Sequence, residues 1–185
     1  MGILARIAHR LKVNLDWLAA EHERQILHSR LGHVGIGGTI GLGLRITSPE
    51  KAWLGDNVHI GSNGWIRAEG GLRIGDNTHI SRNVVIYTVN HNYNGKRLPY
   101  DDNQIEKPVT IGNNVWIGMN VTIAPGTTIG EGAIIALGAN VSGTISPCQI
   151  VASQALRVIG HRDLEHYELL KAAQAFGGAD GALWP

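Results

Sequence analysis

The chain has one cysteine, Cys148, which excludes an internal disulfide and points to no redox role. It has one phenylalanine. No apolar run approaches the roughly 20 residues that a membrane-spanning helix needs. A formal net charge of +1 gives no electrostatic case for nucleic acid as a partner. The first residues, MGILARIAHRLKVNL, lack both a long apolar core and a small-residue cleavage site, so no signal peptide is expected and the chain is expected to be cytoplasmic. Its 185 residues suit one domain with appendages.

Glycine is abundant, with 25 residues, and much of it is periodic. From Ile111 to Val141 an aliphatic residue recurs every sixth position: Ile111, Ile117, Ile123, Ile129, Ile135, Val141. Gly112, Gly118, Ala124, Gly130 and Ala136 follow them, and the fifth places hold Val115, Val121, Thr127, Ala133 and Ala139. A period of six fits neither the 3.6 of an amphipathic helix nor the 2 of an alternating strand. It fits a coil with three flat sides, one hexapeptide per side. Each aliphatic residue then points inward and stacks on its equivalent one coil away, at the strand spacing of about 4.8 Å. Such a prism has little room for aromatics. The stretch resembles the pattern of left-handed parallel β-helix acyltransferases. The expected fold is mainly β: a left-handed parallel β-helix with an N-terminal helical segment and a C-terminal helix.

Three segments are expected: residues 1–32, helical; residues 33–160, the β-helix with a loop over 89–108; and residues 161–185, a helix and tail. In the first, Ile3, Leu4, Ile7, Leu11, Leu15 and Leu18 recur at helical spacing, opposed by Arg6, Arg10 and Lys12. Asn14 or Asp16 is placed to cap a second helix from Trp17 to Leu31, ended by Gly32. This segment reads as a cap on the open end of the coil or on a neighbouring subunit, since that end would otherwise expose strand edges. Its basic, amphipathic first dozen residues also suit a peripheral membrane contact. The glycine-rich run Gly35–Gly43 lacks the strand-to-helix context of a phosphate cradle. Repeats then run from Leu54 to Ile86, with a two-residue irregularity at Gly70-Gly71 that makes the coil offset 20 rather than 18. His59, His79 and Trp116 fall at equivalent outward positions. The coils should end near Val141–Ser146 with Pro147 closing them, followed by a strand-like stretch from Gln149 to Val158. Asp163 to Phe176 reads as a helix.

Residues 89–108 break the period with Asn, Gly, Pro and charge, which marks an ejected loop. Long loops in compact repeat folds are usually functional. His91 opens this loop. A hydroxyl keeps its proton near neutral pH, and a neutral histidine within reach can take that proton as the oxygen attacks a thioester. The resulting oxyanion needs a donor, and a backbone N–H would serve. No covalent enzyme intermediate is required.

Asn90-His91, the loop, and then Pro108-Val109-Thr110-Ile111-Gly112-Asn113-Asn114-Val115-Trp116-Ile117-Gly118 resemble the galactoside, maltose and xenobiotic acetyltransferases, and the sugar and polysaccharide O-acetyltransferases among their relatives. The resemblance covers about residues 50–160. It implies an acetyl-CoA-dependent O-acetyltransferase acting on a sugar or glycan hydroxyl, with His91 as general base and no metal. It implies Asn83, Glu69 and Tyr93 on the acceptor side, with Tyr100 and Asp101 also available in the loop. It implies Trp116, Leu137, Ser142 and Arg157 along the coenzyme A track, Arg157 lying in Leu156-Arg157-Val158-Ile159, where a guanidinium suits a phosphate. It implies a homotrimer with each active site between two subunits. The chain departs from the family in two places. Ser142-Gly143 stands where Thr-Lys is usual, which removes a cationic phosphate contact, and Ala152-Ser153-Gln154-Ala155 replaces Ala-Gly-Asn/Val-Pro. Two other readings stay open. One is a γ-class carbonic anhydrase, with zinc held by histidines such as His59, His79 and His91. The other is a β-helix that serves only as a scaffold.

Overall fold

The computed structural model describes residues 2–94, 96, 98–153, 161 and 163–173. They fall into two units, 1–153 and 154–185. The first is a parallel β-helix preceded by one long helix.

Three parallel sheets form the coil. The first stacks the strands His33–Val34, Ala52–Leu54, Leu72–Ile74, Val109–Ile111, Thr128–Ile129 and Thr144–Ile145. The second stacks Thr39–Ile40, His59–Ile60, His79–Ile80, Trp116–Ile117, Ile134–Ile135 and Ile150–Val151. The third stacks Arg45–Thr47, Trp65–Arg67, Val85–Tyr87, Thr122–Ile123 and Asn140–Val141. Strands of two or three residues are what a hexapeptide allows, because the rest of each repeat turns the corner. The inward positions form ladders: Ile60 on Ile80, Ile80 on Ile117, Ile117 on Ile135. All four are buried, as are Val115, Val121, Thr127, Ala133 and Ala139 from the fifth places. The core is therefore a column of aliphatic side chains along the prism axis.

Corners set the geometry. Asn57, Asn63, Asn77, Asn83, Asn114 and Asn120 all have φ between 53° and 60°. Asparagine tolerates this left-handed conformation better than most residues. The amides also bond from coil to coil, Asn57 donating to Asn77 at 3.0 Å and Asn83 to Asn120 at 3.1 Å. In the later coils Gly126, Gly132 and Gly138 take such positions, with φ of 82°, 69° and 68°.

Register confirms the offset of 20 in the first coils, as Leu54 pairs with Ile74 and Ile66 with Ile86. It becomes 18 between Ile111 and Ile129 and 16 between Ile129 and Ile145. The coil does not close at Pro147. Ile150–Val151 still pairs with Ile134–Ile135, and Pro147 with Cys148 (φ 58°) turns a shortened corner. Residues 154–158 of the expected last strand lie outside the described residues.

The N-terminal segment is one helix rather than two. α1 runs unbroken over Ile3–Arg30. No Gly or Pro interrupts that span, so Asn14 and Asp16 have no break to cap. Gly32 does not end it through a left-handed turn. It is small because a Cβ there would collide with the Glu50 carbonyl. Only the last turns touch the coil, where Leu27 and Leu31 pack against the core. In the second unit, α2 spans Leu164–Ala172, and the Asp163 side chain caps it by accepting from the His166 N–H at 3.0 Å.

Candidate active site

The third and first sheets meet at one corner in every coil, and the period changes there. This corner holds residues 48–51 in one coil, 68–71 in the next, the ejected segment in the third, and Ala124–Thr127 above it. The ejected segment is not all loop. Its base is an antiparallel hairpin, with Val89, Asn90 and His91 opposite Glu106, Ile105 and Gln104.

His91 ends the outgoing strand and is exposed. Its N–H donates to the Asn90 side chain at 2.9 Å. Its ring stacks on Tyr100, with centroids 3.8 Å apart and planes 12° from parallel. A flat stack fixes the plane of an imidazole and leaves both nitrogens at the free edge. Among the described residues, no hydrogen bond engages either one. Tyr100 is thus the loop aromatic that meets the histidine, while Tyr93 is 70% exposed. Asp101 is buried and turned into the loop. It accepts from the Lys96 N–H at 3.2 Å and from the Asn103 N–H and amide, both at 3.1 Å. Burial pushes its carboxyl up, but these donors outweigh that and hold it below the usual carboxylate range. Asp101 therefore organises the loop that carries Tyr100.

Glu69 lies at the same corner, one coil below the hairpin. It is not a solvated corner residue. One carboxylate oxygen, Oε1, accepts from Thr47 at 2.9 Å and from Arg67 Nε and Nη2 at 3.2 and 3.0 Å. The other, Oε2, is buried without a partner among the described residues. Burial raises this carboxyl's pKa, yet hydrogen bonds from its own backbone, from Arg67 and from Thr47 prevail and keep it lowered. Glu69 is an anchored anion. The corner is tied to the hairpin base. Lys51 donates to the Glu69 carbonyl at 2.5 Å and lies 3.7 Å from Glu106. The Gly70 N–H donates to Thr88 at 2.8 Å, and Thr88 donates to the Arg67 carbonyl at 2.7 Å. A Cβ on Gly70 would strike the Thr88 carbonyl, so glycine permits this approach.

Arg67, Thr47 and Tyr87 were not legible as site residues. Arg67 and Thr47 hold Glu69, and the Arg67 guanidinium lies 5.6 Å from the centre of the Tyr87 ring. The available signal was register: Thr47, Arg67 and Tyr87 are 20 apart and pair across the third sheet.

Trp116 and Leu137 are brought together elsewhere. With Ser81, Met119 and Ile134 they line a groove of about 380 Å³ at the corner between the second and third sheets. Its walls are mostly apolar, which suits a thin acyl-carrying arm. Asn83 belongs to this corner too, its amide spent on Asn120. Ser142 does not join Trp116 and Leu137. It follows Asn140–Val141 and sits at the hairpin corner, higher in the stack. Arg157 lies outside the described residues.

The carbonic anhydrase reading meets a different arrangement. His59 and His79 share the second sheet, rings 4.5 Å apart, and His91 is on the hairpin at another corner. Both His59 nitrogens are engaged, Nε2 donating to Asn57 and Nδ1 accepting from Thr39, each at 2.8 Å. Among the described residues no three His, Cys, Asp or Glu side chains are grouped to hold a metal. No helix is long and apolar enough to cross a membrane.

Residues 108–143 match the family described as bacterial transferase hexapeptide (six repeats), and residues 53–88 that described as hexapeptide repeat of succinyl-transferase. No curated protein matches the chain. Solved structures do. A maltose O-acetyltransferase from Clostridium difficile 630 is 30% identical, with a TM-score of 0.63 over 75% of this chain and 74% of its own. A hexapeptide-repeat acetyltransferase from Vibrio cholerae O1 biovar eltor, complexed with acetyl coenzyme A, is 26% identical, with a TM-score of 0.66 over 83% of this chain and 84% of its own. A galactoside acetyltransferase in complex with coenzyme A is 25% identical, with a TM-score of 0.65 over 89% of this chain and 78% of its own.

Proposed function

The chain belongs to the hexapeptide-repeat acetyltransferases, and from that premise we propose that it moves an acetyl group from acetyl-CoA to a hydroxyl of a sugar or glycan, with His91 as general base. The observation that carries this reading is the His91 imidazole held flat on Tyr100, with neither nitrogen hydrogen-bonded among the described residues. Acetyl-CoA supplies the activated acyl carbon as a thioester. His91 takes the hydroxyl proton as the acceptor oxygen attacks, and then delivers it to the departing sulfur. Glu69 stands on the acceptor side, as the resemblance implies, its carboxylate set at the corner beside the hairpin base. Arg67 and Thr47 hold that carboxylate in place. Tyr93 flanks the acceptor from the loop. Asn83 stands at the groove corner and has its side-chain oxygen left for a ligand. On the donor side, Trp116 and Leu137 form the apolar wall, and Ser142 and Arg157 continue the track the resemblance implies.

The two halves of this site lie at different corners of one prism: the groove between the second and third sheets, His91 between the third and first. Packing three prisms side by side would set the groove of one against the hairpin of the next. We therefore read the enzyme as a homotrimer. Light scattering at micromolar concentration should give three times the 19.9 kDa chain mass, and a monomer would remove this account of the site.

The function itself is tested by thiol release. Purified protein with acetyl-CoA should liberate free thiol only when a sugar or glycan acceptor is added. Release with amines and none with hydroxyls would replace O-acetylation by N-acetylation.

A further inference from the structure

We propose that the first half of α1 is a docking element for the surface of an anionic lipid bilayer. Residues 5–19 are exposed along their whole length, roughly 22 Å of helix. The helix meets the coil through one seam, in which Ala20, Arg24, Leu27 and Leu31 are partly buried. Ile7, Leu11, Leu15 and Leu18 form a second stripe, and they are 50%, 58%, 64% and 56% exposed. At about 3.6 residues per turn this stripe lies on the side of the helix away from the seam. The coil of the same chain therefore does not cover it, and α1 caps the coil only through its last turns.

Charge decides what does. Arg10 and Lys12 flank the stripe on either side, Arg6 adds a third cation one turn earlier on the seam side, and no acidic residue precedes Asp16. An apolar stripe with cationic flanks is what holds a helix in the plane of a bilayer interface. A parallel bundle of α1 copies would bury the same stripe but bring the flanking Arg10 and Lys12 of each copy together, with no carboxylate in that half to pair them. The helix is too polar to span a membrane, so it lies on one. Three cations near an anionic surface should raise partitioning on the order of a hundredfold over a neutral one.

The full-length protein is sedimented with vesicles of phosphatidylcholine alone and of phosphatidylcholine with a third phosphatidylglycerol. It should pellet with the second, stay in solution with the first, and be released by high salt. The double variant Leu11→Glu, Leu18→Glu should stay in solution with both while keeping its oligomeric mass and its thiol release with a soluble acceptor. Arg6→Glu with Arg10→Glu should also abolish pelleting. If the parent protein ignores anionic vesicles, or if the Leu variants pellet like the parent, the proposal fails. If the Leu variants lower the oligomeric mass, the stripe is a contact between copies and the proposal is replaced by that.

Discussion

His91→Ala should lower acetyl transfer by a factor of about 10² to 10⁴, the usual contribution of a positioned general base. The side chain is exposed, and its one ring stack among the described residues is on Tyr100. Its removal leaves the prism core and the Trp116 groove untouched. Coenzyme A affinity and oligomeric mass should therefore match the parent, and the loss should fall on turnover with saturating acceptor. His59→Ala is the control. That ring is engaged by Thr39 and Asn57 on another sheet, so transfer should change little. Turnover close to the parent's in the His91 variant would show that the hydroxyl loses its proton by another route.

Ile117→Asp should destabilise the fold by roughly 3–5 kcal/mol, the scale of a buried charge without a partner. Ile117 is fully buried and stacks between Ile80 below and Ile135 above. A carboxylate there has no donor in reach and interrupts an aliphatic column on both sides. The melting temperature should fall by about 10 °C or more for a chain of this size. Thr128→Asp, outward and exposed on the first sheet, should change it by far less. A larger loss for Thr128→Asp than for Ile117→Asp would mean that the inward and outward sides of the strands are exchanged. A slip of one residue would do that, because side chains alternate across a strand.

These two residues mark the limits of what could be read from the chain. Ile117 was legible because a prism core repeats, and six matches at a period of six leave one choice of inward face. The outward ladder of His59, His79 and Trp116 followed from the same arithmetic. His91 was legible because it opens the long break in the repeat. The corner asparagines are a finding of the structure, in which Asn83 shares its left-handed conformation with five other asparagines.

What the sequence by itself determined is therefore periodic: the coil, its register, its inward face and the place where a segment leaves it. What only the tertiary structure decided is which corners lie above one another. A corner column joins residues from successive coils, and its spacing shifts from 20 to 18 to 16 as corners lengthen or shorten. That column put Glu69 beneath the hairpin, gave it Arg67 and Thr47, and left one of its oxygens buried without a partner among the described residues. It also separated Trp116 and Leu137 from His91. α1 illustrates the same division. Its amphipathic spacing is visible in the sequence, but which stripe meets the coil is not, because two stripes compete and the fold buries only the one that Leu27 and Leu31 belong to.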